Sequence, residues 1–297
     1  MEVRHLELLR DLQTRGTLAA VAAATHRTPS ALSQQLRTAE RALGVALVEP
    51  DSRGVRLTWA GEVLAEGADH VLASIAAVQA RLDAGRDEPS GTVRIGTLPS
   101  AGAALIPGLI AALSGSRIRL EVNDYDLAER DYAGRALDED LVIAHSLTSD
   151  VPVGAEALVT RVVAREPIDV AVPRGHALFG HAVVTPADVV QFPWIAVPRG
   201  YPFATVLDRI ETATAATLER VLELRDNRLV EALVTQGVGL ALLPRFSTPA
   251  HAEYRLIPLV DVHAVRSIVA IARPDRAQRR AVATVFDALE RVGSALA

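Results

Sequence analysis

Four polar side chains at helical spacing form the group in this sequence that is best suited to chemistry: Ser30, Ser33, Gln34 and Arg37. They stand at positions i, i+3, i+4 and i+7, so a helix would place all four on one face. Serine hydroxyls and a glutamine amide are short enough to reach base edges in a DNA groove, and arginine binds phosphate. An ordinary solvated helix face is the alternative interpretation of the same pattern.

The neighbouring sequence predicts two further helices that would hold this stripe in place. Regularly spaced leucines predict a first helix over Val3–Arg15, ended by Gly16. Thr17 is expected to cap an alanine-rich second helix. Thr28 followed by Pro29 then predicts the start of a third helix, because a capping hydroxyl precedes a proline at the first helical position. The inward face of the third helix is expected to consist of Leu32, Leu36, Ala39 and Leu43.

A β-hairpin, which we call the wing, is predicted after the third helix. Its strands are expected at Val45–Val48 and Val55–Thr58, joined by a turn that contains Gly54. Arg53 lies at the tip of this turn and Arg56 on the second strand, where both could contact phosphate or the minor groove of DNA.

A long helix without proline is predicted over Ala60–Asp83, and at about 1.5 Å per residue it would run roughly 36 Å. Its apolar residues alternate at spacings of three and four, which is typical of a helix that pairs with a second chain. Packing of this helix on its own domain is the alternative. A polar hinge rich in glycine and proline follows and ends at Gly91. The predicted seam consists of Leu64, Ala68, Val71, Ile75, Val78 and Leu82.

The rest of the chain alternates between predicted strands and helices, among them a strand over Ile168–Val172 and a helix over Asp275–Leu296. This alternation favours parallel sheets covered by helices. This part of the chain is long enough for two units of alternating strands and helices. A ligand is expected between the two units, at the carboxyl ends of their strands. Ser100 begins a helix whose free backbone N–H groups favour an anion. Each polar candidate also has an alternative role. Ser100 would be only a helix cap, His145 a solvated loop residue and Arg199 a member of a surface ion pair. The candidate ligand-binding residues are Ser100, Ala101, His145, Ser146, Arg199, Gly200 and Phe203.

Composition excludes several classes of chemistry in this 297-residue chain. It holds no cysteine, which removes disulfides, thiol nucleophiles and cysteine zinc sites, and all 31 basic residues are arginine, which removes lysine Schiff bases. The eight histidines show no metal-binding spacing, so neither a metal site nor a catalytic residue is predicted. Residues 1–60 hold eight arginines and six acidic residues, a net charge of +2, and the remainder therefore carries −7. A basic head on an acidic body fits a DNA-binding module with a separate partner domain.

The residues that carry the predicted helices and wing resemble the winged helix-turn-helix of LysR-type transcriptional regulators, over roughly the first 85 residues. The run that carries the resemblance is TPSALSQQLRTAERALGVALVE, followed by RGVRLTWAGEVL. Pro50 stands where that family usually has an arginine, and Trp59 where it has a proline. The resemblance implies DNA contacts from Thr28, Pro29, Ser30, Ser33, Gln34, Arg53 and Arg56.

Weaker motifs extend the resemblance into the remainder of the chain, in the runs SGTVRIGTLPSAGAALIPGLI and LVTQGVGLALLP. They imply an α/β effector domain of two lobes with a periplasmic-binding-protein-like fold, and a chain that assembles as a dimer or tetramer. The expected domains are the winged helix-turn-helix at 1–59, the linker helix and hinge at 60–90, and the effector domain at 91–297. Within the last, subdomain I is expected at about 91–162 and 267–297, and subdomain II at about 163–266.

These observations predict a sequence-specific DNA-binding regulator controlled by a small organic effector, for which the helix start at Ser100 favours an anion. The expected partners are an operator in double-stranded DNA, further copies of the chain and the effector, with RNA polymerase as an additional candidate. No cofactor is predicted. A cytoplasmic protein is expected, because no apolar run approaches the roughly 18 residues needed to span a membrane and the N-terminus does not resemble a signal peptide. The alternatives are a small-molecule binding protein or an enzyme built on the α/β body.

Overall fold

The computed structural model describes residues 1–52, 54–85 and 88–296. The chain divides into two compact units. The head unit comprises Met1–Glu88 together with Arg273–Val282, and the body unit comprises Pro89–Ala272 with Ala283–Ala297. Both units are described separately below.

Three helices form the core of the head unit: α1 (Val3–Arg15), α2 (Leu18–Ala24) and α3 (Pro29–Leu43). The predicted caps are present. The Thr17 hydroxyl accepts a hydrogen bond from the backbone N–H of Ala20 at 3.1 Å, and the Thr28 hydroxyl accepts one from that of Ala31 at 3.2 Å. Leu43 does not point inward as predicted: it is 37% exposed, because α3 ends at this residue. The buried apolar residues of these helices are Leu8, Leu9, Leu12, Val21, Ala22, Leu32, Leu36 and Ala39.

The wing consists of the antiparallel strands β1 (Val48–Asp51) and β2 (Gly54–Leu57), so the prediction of a strand over Val45–Val48 was wrong by three residues. The Glu40 carboxylate accepts hydrogen bonds from the backbone N–H groups of Leu47 and Val48, at 2.9 and 3.4 Å. This side chain therefore holds the segment before β1 against α3. Thr58 also lies outside the strand that was predicted to contain it and caps the next helix.

The long helix α4 extends over Trp59–Ala84, one residue beyond the predicted range at each end. Its first half is covered by α1 of the same chain, where Leu6, Ala68 and Leu72 form a small buried cluster with Leu64 at its edge. The alternative of a helix packed on its own domain is thus realised for this half of α4. No helix among the described residues is long and apolar enough to cross a membrane.

The body unit begins at Pro89, and Arg273–Val282 near the end of the chain belongs to the head unit. The elements in chain order are β3 (Ser90–Thr97), α5 (Pro99–Ala112), β4 (Arg117–Asp124), α6 (Tyr132–Arg135), β5 (Leu141–Ser146), β6 (Val159–Pro173), α7 (Pro186–Val189), β7 (Pro193–Ala196), α8 (Pro202–Thr214), β8 (Glu219–Glu223), α9 (Asn227–Thr235), β9 (Leu240–Pro244), β10 (Tyr254–Ile257), β11 (Val265–Ala272), α10 (Pro274–Ala277) and α11 (Arg280–Ser294).

The strands of the body form one continuous sheet in the order β4-β3-β5-β11-β6-β9-β7-β8, with β10 added to β6. The first lobe is built on the parallel strands β4, β3 and β5, and the second on the parallel strands β9, β7 and β8. Between the lobes, β6 and β11 run antiparallel to their neighbours. The two-lobed α/β fold confirms the prediction, and each lobe contains the expected parallel strands. The antiparallel exceptions are β6, β10 and β11.

Other boundaries in the body differ from the prediction. A single helix over Asp275–Leu296 was expected, but α10 and α11 are separated around Gln278 and Arg279. The strand over Ile168–Val172 is the end of the 15-residue β6, and β10 was not predicted. Strand lengths depend on pairing with distant segments, which a local pattern does not report.

Candidate functional site

The predicted recognition stripe lies on the surface of α3. Ser30, Gln34 and Arg37 are exposed and Ser33 is half-buried, while Leu32 and Leu36 on the opposite face enter the core. At the start of the helix, Thr28 and Pro29 are also exposed, and the Thr28 and Ser30 hydroxyls are hydrogen-bonded at 3.1 Å. The helix start therefore presents hydroxyl and amide groups together, followed one turn later by a cation.

The wing places one predicted cation in a contact that the sequence did not indicate. Arg56 is exposed, and its guanidinium forms an ion pair at 2.6 Å with the carboxylate of Glu49 on the opposing strand. Pro50 is paired with Val55 in the same hairpin. Arg53 lies outside the described residues.

Two polar residues that sequence reasoning did not single out connect the wing with its neighbours. Besides the Glu40 contacts described above, the Thr58 hydroxyl donates to the carbonyl oxygen of Ala46 at 2.7 Å and accepts from the N–H of Gly61 at 3.2 Å. One loop is therefore held by α3 on one side and by the start of α4 on the other. The cap at Thr58 was detectable in the sequence as a threonine before a helix, but its second contact was not.

The predicted seam on α4 divides into a covered and an exposed part. Ala68 is fully buried within the chain, so it does not face a second copy in this conformation. Ile75 is half-buried, and Val71, Val78 and Leu82 are 42%, 56% and 60% exposed. Two further apolar side chains on α4 are exposed, namely Trp59 at 79% and Val63 at 47%.

In the body unit, three predicted residues from different elements converge on a guanidinium that was not predicted. Arg266, on β11, donates to the Ser100 hydroxyl at 2.8 Å and to Nδ1 of His145 at 3.3 Å. The ring of Phe203, at the start of α8, lies 5.7 Å from the same guanidinium. The first lobe, the second lobe and a crossing strand therefore meet at Arg266.

The charge of Arg266 is balanced by Glu166 on β6, with both side chains almost completely buried. Arg266 donates to Glu166 from Nε at 2.8 Å and from Nη2 at 2.5 Å, and the other carboxylate oxygen accepts from the N–H of Phe246 at 2.6 Å. Sequence reasoning missed this pair, because the two residues stand 100 positions apart in the chain. The available signal was a single charge embedded in each run, in VVAREPIDV and HAVRSIVAI.

His145 is neutral in this environment. Complete burial, followed by the charge of Arg266, lowers the pKa of its imidazole well below the ordinary value. Because a guanidinium only donates, Nδ1 of His145 accepts and the ring proton resides on Nε2. Nε2 has no hydrogen-bond partner among the described residues, and the ring meets that of Tyr132 edge-on at 5.7 Å.

The remaining polar candidates belong to a second group nearer the surface. Arg199 and Gly200 line a cavity of about 630 Å³ together with Glu129 of the first lobe and Tyr201 of the second. Glu129 is hydrogen-bonded to the Ser146 side chain, and burial raises the pKa of its carboxyl group despite that bond. Ser146 also accepts from backbone N–H groups of the loop that follows it. The cavity thus presents a carboxyl group and a guanidinium to one space.

The Ala101 side chain is fully buried, so this residue offers only its backbone. Among the described residues, no group of three or more histidine or acidic side chains is placed to hold a metal ion.

Comparison with known families gives two matches that together span nearly the whole chain. The LysR substrate binding domain matches residues 86–294. The helix-turn-helix of bacterial regulatory proteins of the lysR family matches residues 3–62.

Characterised proteins match along most of their length. The transcriptional dual regulator GltC of Bacillus subtilis is 26% identical over 282 residues, which cover 92% of this chain and 91% of GltC. The DNA-binding transcriptional dual regulator OxyR of Escherichia coli is 25% identical over 280 residues, which cover 92% of this chain and 90% of OxyR.

Solved structures share the fold at lower sequence identity. A full-length OxyR variant from Pseudomonas aeruginosa superposes with a TM-score of 0.70 at 19% identity, covering 99% of this chain and 97% of that one. Full-length CbnR in complex with its target DNA gives a TM-score of 0.56 at 18% identity, covering 99% of this chain and all of CbnR.

Proposed function

Because this chain belongs to the LysR family of bacterial transcriptional regulators, we propose that the start of α3 reads the operator and that the cleft of the body unit holds the effector. Members of this family bind operator DNA, assemble as oligomers and respond to small-molecule effectors. The observation that carries the proposal for the head is the exposed stripe on α3, with hydroxyl and amide groups at the helix start.

In this proposal, Ser30, Ser33 and Gln34 contact base edges in the major groove, and arginines contact phosphates. Gln34 has the strongest geometry for specificity, because an amide can form two hydrogen bonds with one adenine. Selection of bound sequences from random DNA would first define the operator. Gln34→Ala is then expected to weaken binding to that operator by roughly 1–3 kcal/mol while leaving binding to unrelated DNA nearly unchanged.

The matched control is Arg41→Ala, which removes an exposed side chain farther along the same helix. Arg41→Ala is expected to change affinity for the operator and for unrelated DNA by the same factor, or to change neither. Equal losses on the operator and on unrelated DNA for Gln34→Ala would assign Gln34 to the DNA backbone and contradict its role in base recognition.

The exposed apolar part of α4 supports a revised seam between two copies of the chain. Trp59 and Leu82 are equally distant from a point between His70 and Val71, and so are Val63 and Val78. An antiparallel pair of α4 helices related by a two-fold axis would bring each residue opposite its counterpart, as an isologous interface requires. Val71 would lie near the axis. We therefore place the seam on these five residues and on Ile75, with Leu64 and Ala68 serving the core of the head.

The cleft is proposed to bind a small organic anion. Arg199 offers a cation at the cavity, and Ser100 lies at the start of α5, where backbone N–H groups favour negative charge. Isothermal titration with a panel of small carboxylates and their neutral amides tests both the site and the class. We expect binding of one or more carboxylates that Arg199→Gln weakens and Ser100→Trp abolishes.

Ser114→Trp, at the exposed far end of the α5 region, is the control for that experiment and should bind as the parent does. Binding that survives Ser100→Trp would place the ligand elsewhere, and a preference for the amides would contradict the anionic class. The regulator acts without a catalytic step and in the cytoplasm, where operator DNA is found. Turnover of any ligand in the same titrations would favour the alternative of an enzyme.

A further inference from the structure

A ten-residue segment after the last strand of the body, Arg273–Val282, belongs to the head unit. It follows β11 directly and contains α10, which packs against α4. At its far end, the Arg280 guanidinium donates to the backbone carbonyl of Asp83 near the end of α4, at 2.9 Å. The ten residues that follow β11 thus pack against α4 within the head unit.

A cluster of five charged side chains forms the centre of this docking. Arg10 of α1 lies 3.2 Å from Asp11, 3.5 Å from Asp69 of α4 and 3.8 Å from Asp275 of α10. Arg273 pairs with Asp275 at 3.1 Å. Only 8% of the Arg10 side chain and 7% of the Arg273 side chain are exposed. Asp275 therefore bridges two buried guanidinium groups, one from each side of the contact.

The buried charges in this contact have few hydrogen bonds to compensate for the loss of water. Burial lowers the pKa of Arg273, and the nearby charge of Arg10 lowers it further. Among the described residues, Nη1 of Arg10, Nε of Arg273 and one carboxylate oxygen each of Asp69 and Asp275 lack a hydrogen-bond partner. Desolvation of ions is repaid only when their hydrogen bonds are satisfied, so such clusters add little stability even when their geometry is specific. Docking of this kind is specific in position and weak in energy, as a reversible contact requires.

Strand β11 connects this contact with the cleft. It carries Arg266, at which both lobes meet, and six residues later it ends at Ala272, next to Arg273. Because β11 is hydrogen-bonded to β5 and β6 on its two sides, it shifts together with the sheet. Arg266 and Asp275 are therefore only nine positions apart in the chain, and the residues from Arg266 to Ala272 lie in a strand that is paired on both sides.

We propose that Arg273–Val282 is a reversible strut, whose docking through Asp275 and Arg10 couples the state of the cleft to the DNA-binding head. This inference rests on the proposed function, because it assumes that the cleft holds the effector. The coupled element has two states, docked and undocked, and both the cleft and the head bias the equilibrium between them.

Docking itself is tested by a distance measurement in the full chain. The chain holds no cysteine, so Gln13→Cys on α1 and Gln278→Cys after α10 provide the only two sites for spin labels, and both positions are exposed. The labelled protein is diluted with unlabelled protein so that distances within one subunit dominate. A single narrow distance distribution is expected. Asp275→Asn should broaden it and Asp275→Arg, which adds a third cation beside Arg10 and Arg273, should replace it by longer distances.

The control is Asp287→Asn on α11, which removes the same charge from a more exposed ion pair, with Arg161 of β6, and should leave the distribution unchanged. An unchanged distribution in Asp275→Arg would overturn the proposal. This arm requires no DNA and no ligand, so it remains decisive even if the proposed roles of α3 and the cleft fail.

Coupling is tested by a double-mutant cycle on affinity for the selected operator. Glu166→Gln perturbs the partner of Arg266, and Ser100→Ala, which removes the hydroxyl that accepts from Arg266, is a milder change in case the first variant does not fold. We expect that the change in affinity caused by the cleft variant in the parent background is altered by about fivefold or more in the Asp275→Asn background, the lower range of typical allosteric coupling. Effects that multiply to within about twofold, including no effect in either background, would refute the coupling.

Discussion

At the scale of single residues, the ion pair across the wing decides how much positive charge the hairpin offers to DNA. Arg56 was predicted as a phosphate contact, but its guanidinium is 2.6 Å from the Glu49 carboxylate. Since both side chains are largely exposed, the pair contributes little to stability. Its main effect is therefore competition between a carboxylate and a phosphate for one cation.

Glu49→Gln is expected to raise affinity for DNA by releasing Arg56. The slope of log K against log salt concentration should become steeper by about 1, because one additional phosphate is neutralised. Binding is measured by fluorescence anisotropy over a salt series. Glu7→Gln, which removes an exposed charge from α1, controls for net charge alone. A steeper slope in both variants would show that Arg56 makes no particular contact.

The residues of the head and of the cleft differ in how well the sequence predicted them. Ser30 and Gln34 were predicted correctly as an exposed stripe, because helical spacing is a local property. Arg266 and Glu166 were missed, because they stand 100 positions apart and meet only when β6 and β11 pair. A charge within an apolar strand indicates that a partner is needed, but it does not say which residue provides it.

At the scale of elements, the start of α4 depends on a glycine that permits close approach. A Cβ at Gly61 would collide with the backbone carbonyl of Leu47, whereas nothing lies within 4 Å of a Cβ at Gly67 in the same helix. Backbone cannot yield as a flexible side chain does. A larger side chain is therefore excluded at Gly61 and accommodated at Gly67, although both residues lie in α4.

Gly61→Ala is expected to destabilise the head by roughly 1–3 kcal/mol, the usual cost of overpacking. Gly67→Ala should instead stabilise it by about 0.5–1 kcal/mol, since alanine loses less entropy in a helix. Both values come from urea unfolding followed by circular dichroism at one protein concentration, because assembly also affects stability. Equal destabilisation by both substitutions would contradict the close approach at Leu47.

The boundaries of the helices and strands also show which of them the local sequence could predict. The limits of the first helix and the starts of the next two were predicted correctly, because leucine spacing, Gly16, threonine caps and a proline mark them. The first wing strand was displaced because a side chain from α3, Glu40, occupies the N–H groups that a longer strand would use. Contacts between elements therefore shifted boundaries that propensity alone had placed.

At the scale of the whole molecule, the exposed half of α4 is expected to determine the oligomeric state. The double variant Val71→Asp/Val78→Asp places charges in the revised seam and should convert the assembly to smaller species, since burial of unpaired carboxylates is costly. Mass is measured by light scattering after size-exclusion chromatography. Ile110→Asp, at a 58% exposed position on α5, is the control. A mass unchanged from that of the parent would exclude the seam.

The sequence by itself determined the helix-turn-helix, its polar stripe, the long helix and the two-lobed α/β body, because caps, spacing and alternation are interactions between near neighbours. Only the tertiary structure decided which half of α4 is covered by α1, which guanidinium occupies the cleft, and that Arg273–Val282 groups with the head. These three outcomes depend on surfaces that meet across long stretches of chain. Their residues carry no local pattern that distinguishes one partner from another.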